Sequence, residues 1–190
     1  MVTGPVVLAG HSIGATSSLI AAVQEPSRVR SLVLFEPVLL PAEQRVAPLW
    51  GEPMVQATLR RRETFPDRAA AMASYHRRGA FAAWSDAELA DYVAAGFRDT
   101  PDGEVTLVCR PAWEVLLYAH HDYDPAALFS GLRRPARIFA AEKGSTMGAE
   151  ARGLATGLEV VPATTHFLPI ERPQLVREAL WTATRDMETN

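Results

Sequence analysis

Residues 6–15 read VVLAGHSIGA, and this stretch decides the fold. Its first four residues are continuously apolar, which is typical of a strand buried on both faces of a parallel sheet. The run leads directly into Gly-x-Ser-x-Gly, and residues 16–23 then favour a helix. Gly10 and Gly14 are small, which should let the helix pass close to the strand. The stretch therefore predicts a strand, a sharp turn at Ser12 and a helix.

Ser12 is a candidate nucleophile because strand, turn and helix around Gly-x-Ser-x-Gly are the context of a nucleophile elbow. Such a turn holds the serine in a strained backbone conformation and projects its hydroxyl above the sheet edge. The backbone N–H of Ile13, at the helix N-terminus, would face a developing oxyanion. The alternative is a tight strand-to-helix turn without chemistry.

Three segments of the chain resemble the α/β-hydrolase family. GHSIG at 10–14 resembles its elbow, RVRSLVL at 28–34 its next strand, and THF at 165–167 with ERP at 171–173 its histidine loop and last helix. The resemblance covers almost the whole chain but only the second half of the family's fold, since the family's first four strands have no counterpart. It implies an α/β fold with a parallel sheet of about four strands, at residues 6–9, 30–35, 137–141 and 158–161.

The middle of the chain differs in character from its two ends. Prolines interrupt it, and four helices are predicted at 55–63, 67–79, 85–97 and 111–120, the third opened by a capping box at Ser85 and Glu88. We therefore assign 1–36 and 135–190 to the hydrolase core and 37–134 to an inserted helical lid. Lids in this family cover the nucleophile and exclude water. The bulky residues that could line the acyl pocket, or instead form the core of the lid, are Trp50, Phe81, Trp84 and Trp113.

His166 is the candidate general base, because a serine hydroxyl needs a positioned base to become a nucleophile at neutral pH. It follows the last predicted strand, where the family places its base. A loop histidine with a structural hydrogen bond is the alternative. His11, inside the elbow, is expected to be a packing or turn residue, and the histidines of the lid are expected to be non-catalytic.

The acid that orients the imidazole has two candidates. Most family members carry it after the strand at 137–141, but Gly144 stands at that position here. Glu36 closes the strand after the elbow, where a minority of the family carries its acid, and a carboxylate ending a buried strand is costly unless it is paired. Glu36 is preferred. Glu142, in the neighbouring loop, and the absence of any functional acid stay open.

The resemblance implies a serine hydrolase that acts on an ester-like or other acyl substrate through a Ser-His-Glu triad and an acyl-enzyme. Esterase, thioesterase, lactonase and carbon–carbon bond hydrolase all stay open. No cofactor or metal is expected, since the single cysteine, Cys109, has no histidine or carboxylate cluster at zinc spacing.

Composition narrows the partners to a small-molecule acyl substrate. The net charge of −3 and the pI near 6.0 leave no basic surface for nucleic acid. No apolar run approaches the roughly 20 residues of a membrane span, and residues 1–9 do not resemble a signal peptide. One cysteine excludes an internal disulfide framework, so a reduced cytoplasmic location is expected.

A second class of function stays open because the chain resembles only part of the fold. The strand at 6–9 would form a sheet edge with unpaired backbone groups, and the loop that supplies the family's second oxyanion donor has no counterpart. We expect a fragment or a misassigned start codon. The alternative to an enzyme is therefore a catalytically incompetent half-domain that needs its missing N-terminal part, or that self-associates through this edge.

Overall fold

The computed structural model describes residues 4–44, 52–119 and 123–185. Its strands are β1 (Val6–His11), β2 (Val29–Phe35), β3 (Thr64–Phe65), β4 (Phe97–Asp99), β5 (Val105–Leu107), β6 (Ala136–Ala141) and β7 (Leu158–Val161). Its helices are α1 (Ile13–Gln24), α2 (Pro53–Leu59), α3 (Arg68–Tyr75), α4 (Asp86–Gly96), α5 (Pro111–Ala119), α6 (Pro125–Gly131), α7 (Ala149–Leu154), α8 (Leu168–Glu171) and α9 (Pro173–Arg185). These elements form two compact units, Met1–Ala47 with Asp122–Asn190, and Pro48–His121.

The first unit is built on a four-stranded parallel sheet in the order β1-β2-β6-β7. The α/β class and the four predicted strands are thereby confirmed, with ends that differ by one or two residues. In the register, His11 lies opposite Phe35, and Phe35 lies opposite Phe139. The carboxyl ends of β1, β2 and β6 are therefore adjacent, which brings the residues after them together.

Alternating side chains of β2 feed two hydrophobic cores, one on each face of the sheet. Leu32 and Leu34 belong to the core that contains α1 residues, whereas Val33 and Phe35 belong to the core that contains α9 residues. All four are at most 3% exposed. Burial on both faces explains why residues 32–35 of β2 form a continuous apolar run rather than an alternating one.

The second unit is shorter at both ends than the predicted insertion at 37–134. Helix α6 belongs to the first unit, because Leu128 and Phe129 pack into the same core as Leu19 of α1. At the other end, Leu39 is fully buried and forms a bridge with Met147. Both flanks of the predicted lid are therefore part of the unit that carries the parallel sheet.

The second unit contains the four predicted helices and a small antiparallel sheet, β3-β5-β4, that the sequence did not predict. Ser85 and Glu88 form the predicted capping box at the start of α4. Phe81 and Trp84 contact each other and Tyr92 within this unit, while Trp113 is 63% exposed. Trp50 and the predicted lid histidines His120 and His121 lie outside the described residues.

Candidate active site

Ser12 lies at the turn between β1 and α1, with φ +57° and ψ −128°. Its N–H donates to the carbonyl of Phe35 at 3.0 Å, which holds the turn against the end of β2. Although Ser12 is the N-cap of α1, its side chain makes no capping hydrogen bond. The hydroxyl is therefore left to interact with groups outside the helix.

The two glycines of the motif differ in what surrounds them. A Cβ on Gly10 would lie 2.4 Å from the carbonyl carbon and oxygen of Gly14, so only glycine fits where α1 crosses β1. A Cβ on Gly14 would meet nothing within 4 Å. The prediction that a small residue is needed is confirmed for Gly10 and wrong for Gly14, because the close approach involves the backbone of Gly14 and not its missing side chain.

Ile13 is the first residue of α1, so its N–H belongs to the group of helix N-terminal donors that have no acceptor within the helix. It follows directly after the nucleophile candidate. The N-terminal end of the helix also carries a partial positive charge, which favours an anion there.

Glu36 follows β2 directly, with φ +48° and a fully buried side chain. Its N–H donates to the carbonyl of Phe139 at 2.7 Å. The carboxylate accepts hydrogen bonds from the N–H of Ala141 at 2.5 Å, the hydroxyl of Ser145 at 2.7 Å and the N–H of Thr146 at 3.1 Å. Three fixed donors thus surround this buried charge.

The balance of these contacts sets the charge of Glu36. Burial alone would raise the pKa of its carboxyl group. The hydrogen bonds from His166, Ser145, Ala141 and Thr146 outweigh burial and hold the pKa below its ordinary value. Glu36 is therefore ionised at neutral pH.

His166 lies in the loop after β7 and meets both other candidates. Its Nε2 atom is 3.0 Å from the hydroxyl oxygen of Ser12, and its Nδ1 atom is 3.3 Å from Oε2 of Glu36. The structure thus brings together three residues that are up to 154 positions apart in sequence. A hydroxyl, an imidazole and a buried carboxylate in this order can pass a proton from the hydroxyl to the imidazole and stabilise the resulting cation.

Glu142, the alternative acid, does not reach the imidazole. Its Oε2 atom instead accepts the N–H of Ala163 at 3.0 Å, in the loop that carries His166. Glu171 accepts the N–H and the hydroxyl of Thr165 in the same loop, both at 2.7 Å. The two carboxylates hold the part of the loop that directly precedes His166.

The sequence did not indicate the contact made by His11. Its Nε2–H donates to the main-chain carbonyl of His166 at 2.7 Å, and the two rings lie 4.9 Å apart. Burial lowers the pKa of His11, which favours its neutral form. Position inside the elbow was the only available signal, and it does not specify what the ring contacts.

The contacts of Ser145 and Thr146 were also missed. Both hydroxyl residues lie in the loop between β6 and α7, directly after Gly144. That glycine departs from the family pattern, because most members carry the acid at its position. That departure shows only that no carboxylate stands at position 144. It does not indicate that the loop supplies donors to a carboxylate on another strand.

The described residues contain neither a group of side chains that could hold a metal ion nor a membrane-spanning helix. Among residues 4–44, 52–119 and 123–185, no three His, Cys, Asp or Glu side chains group closely enough to hold a metal ion. In the same ranges, no helix has the length and apolar character needed to cross a bilayer.

The sequence model of the alpha/beta hydrolase family matches residues 2–179. This chain belongs to the alpha/beta hydrolase family. No curated protein sequence matches the chain significantly.

Solved structures share the alpha/beta hydrolase fold of the chain at low sequence identity. E-2-(acetamidomethylene)succinate hydrolase is 21% identical over 93% of this chain and 65% of its own, with a TM-score of 0.74. The peroxisomal α/β-hydrolase Lpx1 of Saccharomyces cerevisiae is 19% identical over 95% of this chain and 52% of its own, with a TM-score of 0.76. A thioesterase domain from the curacin biosynthetic pathway is 17% identical over 95% of this chain and 66% of its own, with a TM-score of 0.65. This alpha/beta hydrolase thus spans between about half and two-thirds of the length of these structures.

Proposed function

We propose that this chain is a serine hydrolase that cleaves an ester-like or other acyl substrate through a covalent acyl-enzyme. The observation that carries the proposal is the 3.0 Å separation between the hydroxyl oxygen of Ser12 and Nε2 of His166. That distance allows a hydrogen bond, which a nucleophile and its base require. The ionised, buried Glu36 on the other side of the ring supports the same assignment.

The proposed reaction has two steps. Oγ of Ser12 attacks the acyl carbon while Nε2 of His166 accepts the hydroxyl proton, and His166 returns that proton to the leaving group. Water then attacks the acyl-enzyme, passes a proton to His166 and releases the acid, and Ser12 regains its proton. Glu36 holds Nδ1 in the protonated tautomer and stabilises the imidazolium in both steps.

Ile13 is the proposed oxyanion donor, through its backbone N–H at the start of α1. One such donor typically contributes a factor on the order of 10²–10³ in rate. A side-chain substitution at Ile13 leaves this N–H in place, so the role belongs to the backbone position.

The proposal leaves the substrate class as wide as the acyl chemistry. Esterase, thioesterase, lactonase and carbon–carbon bond hydrolase activities all use this relay, and the second unit is proposed as the lid that selects among them. A cytoplasmic location is part of the proposal, because the single cysteine, Cys109, is exposed and free. Fractionation of cells that express the chain tests the location.

Replacing Ser12 with alanine tests the nucleophile. We expect Ser12→Ala to lower kcat on short p-nitrophenyl esters by at least about 10⁴-fold, because the acyl-enzyme can no longer form. The matched control is Ser17→Ala, which removes an exposed serine hydroxyl from the same helix and should leave the rate unchanged. A kcat of Ser12→Ala close to that of wild type would rule out the mechanism.

The position of β1 favours a second candidate function. Within the described part of the chain, β1 pairs only with β2 and forms one edge of the sheet. An unpaired edge can accept another strand. The second candidate is therefore a non-catalytic half-domain that binds a complementary segment or a second copy. A folded wild-type chain that hydrolyses none of the esters above would contradict the enzyme and favour this candidate.

A further inference from the structure

Thr146 lies at the meeting point of the candidate acid and the candidate base. Its hydroxyl oxygen is 3.1 Å from the main-chain carbonyl of Glu36 and 3.3 Å from that of Pro37. The same atom is 3.3 Å from Nδ1 of His166. It also lies 3.5 Å from Oε2 of Glu36, so one hydroxyl faces three acceptor oxygens and one ring nitrogen.

A count of the protons assigns a direction to each of these contacts. The hydroxyl has one proton to donate, and all three oxygens can only accept, so the proton goes to the nearest of them, the main-chain carbonyl of Glu36. The lone pairs of the hydroxyl are then free to accept. For Nε2 of His166 to accept the proton of Ser12, Nδ1 must carry a hydrogen. That hydrogen is the donor the Thr146 hydroxyl can accept.

The Nδ1–H of His166 thus has two acceptors at the same distance. Oε2 of Glu36 and the hydroxyl oxygen of Thr146 both lie 3.3 Å from Nδ1. Both separations exceed the usual 2.9–3.0 Å or so of an N–H···O bond, as expected when one donor is shared between two acceptors.

We propose that Thr146 is a positioning residue that shares the Nδ1–H of His166 with Glu36. The inference rests on the proposed function, since it assigns a role within the same relay. Thr146 also donates its main-chain N–H to Oε2 of Glu36 at 3.1 Å. One residue therefore fixes the carboxylate through its backbone and the imidazole through its side chain, which keeps the two groups aligned without contact with the substrate.

Replacing Thr146 with valine tests the hydroxyl at nearly constant shape. Thr146→Val removes the second acceptor of the Nδ1–H and the hydroxyl donor to the main-chain carbonyl of Glu36, and it keeps the main-chain N–H. We therefore expect kcat on p-nitrophenyl acetate to fall roughly 10-fold with KM unchanged. Thr146→Ser keeps the hydroxyl and should stay within about threefold of wild type. The matched control is Thr182→Val on α9, whose hydroxyl donates to the carbonyl of Glu178 and which should behave as wild type.

Proton NMR of the free protein provides a readout that needs no substrate. The low-field resonance of the His166 Nδ1 proton should shift in Thr146→Val but not in Thr146→Ser or Thr182→Val. In wild type, that proton should show a nuclear Overhauser effect to Thr146. An unchanged resonance and kcat in a folded Thr146→Val variant would overturn the proposal.

The design separates this inference from the proposed function. If the wild-type chain hydrolyses no ester, the NMR readout still decides whether Thr146 shares the proton. If Thr146→Val does not fold, the absence of the Overhauser effect in wild type would by itself overturn the inference. The presence of that effect in wild type, together with a shifted Nδ1 proton resonance in the smaller variant Thr146→Ala, would support the inference.

Discussion

Backbone strain is concentrated at the residues of the candidate relay. Four described non-glycine residues have positive φ, and three of them are Ser12, Glu36 and Ala163, the last in the loop of His166. Such conformations cost on the order of 1–3 kcal/mol each and persist where the surrounding contacts over-determine them. At Glu36 those contacts are the donors at the end of β6 and in the β6–α7 loop. The unfavourable backbone and the buried charge are therefore held by the same donors.

Two glutamates near His166 allow a direct comparison of the candidate acids. Glu36→Gln removes the negative charge beside Nδ1, so we expect kcat on a p-nitrophenyl ester to fall on the order of 10³–10⁴-fold. Glu142→Gln keeps an oxygen that can accept the N–H of Ala163 and should stay within a few-fold of wild type. Steady-state kinetics of both variants provide the measurement. A larger loss in Glu142→Gln would contradict the assignment of Glu36.

The lowered pKa of Glu36 also predicts how stability depends on pH. Above the ordinary glutamate pKa, about 4.3, the side chain is ionised in both the folded and the unfolded chain, and its full contribution is present. As the pH falls below that value, the unfolded chain takes up a proton that the folded chain does not, and the stability of the folded state declines.

Urea denaturation of wild type and Glu36→Gln between pH 6 and pH 3.5 measures this contribution. We expect wild type to be the more stable protein near pH 6, and the difference in free energy of unfolding to narrow as the pH falls through the acid range. The negative charge of Glu36 acts to raise the pKa of His11, so this coupling also contributes to the difference between the two proteins. A difference that stays constant with pH would show that Glu36 has no lowered pKa.

Among the elements, the crossing of α1 over β1 depends on one glycine. Gly10→Ala would place a methyl group 2.4 Å from backbone atoms of Gly14, which cannot move without shifting the helix. We expect a loss of about 1–3 kcal/mol or more in the free energy of unfolding. Gly14→Ala is the matched control in open space, and helix propensity favours it by up to about 1 kcal/mol. Equal stability of the two variants in urea denaturation would contradict this account.

The elements that the sequence predicted are those whose pattern is local. Strand β2 contains a continuous apolar run at 32–35, and α4 begins with a capping box, so both were predicted from neighbouring residues alone. Strands β3, β4 and β5 have two or three residues each, too few to show a period of two. Residues 125–131, which form α6, were assigned to the inserted segment because their place in the first unit depends on packing with α1, which is distant in sequence.

The candidate site was predictable to the extent that each residue ends a recognisable element. Ser12 follows β1, Glu36 follows β2, and His166 lies in the loop after β7. Because the strands are parallel, all three residues lie at the carboxyl-terminal end of the sheet. The contacts of His11 and Thr146 depend on loop conformations that no local pattern specifies. The sequence therefore does not predict which side chains act through other side chains, because the loop conformation determines those contacts.

At the scale of the whole molecule, the exposed edge of β1 predicts the behaviour of the chain in solution. The described residues leave one side of β1 unpaired, and Ala9 is exposed on that strand. We expect concentration-dependent self-association in sedimentation velocity, and Ala9→Lys should shift the chain towards monomer because a lysine on an edge strand opposes pairing with another strand. Ala90→Lys, which adds the same charge at an exposed position of α4, is the matched control. A wild type that stays monomeric, or an equal shift in both variants, would contradict association through this edge.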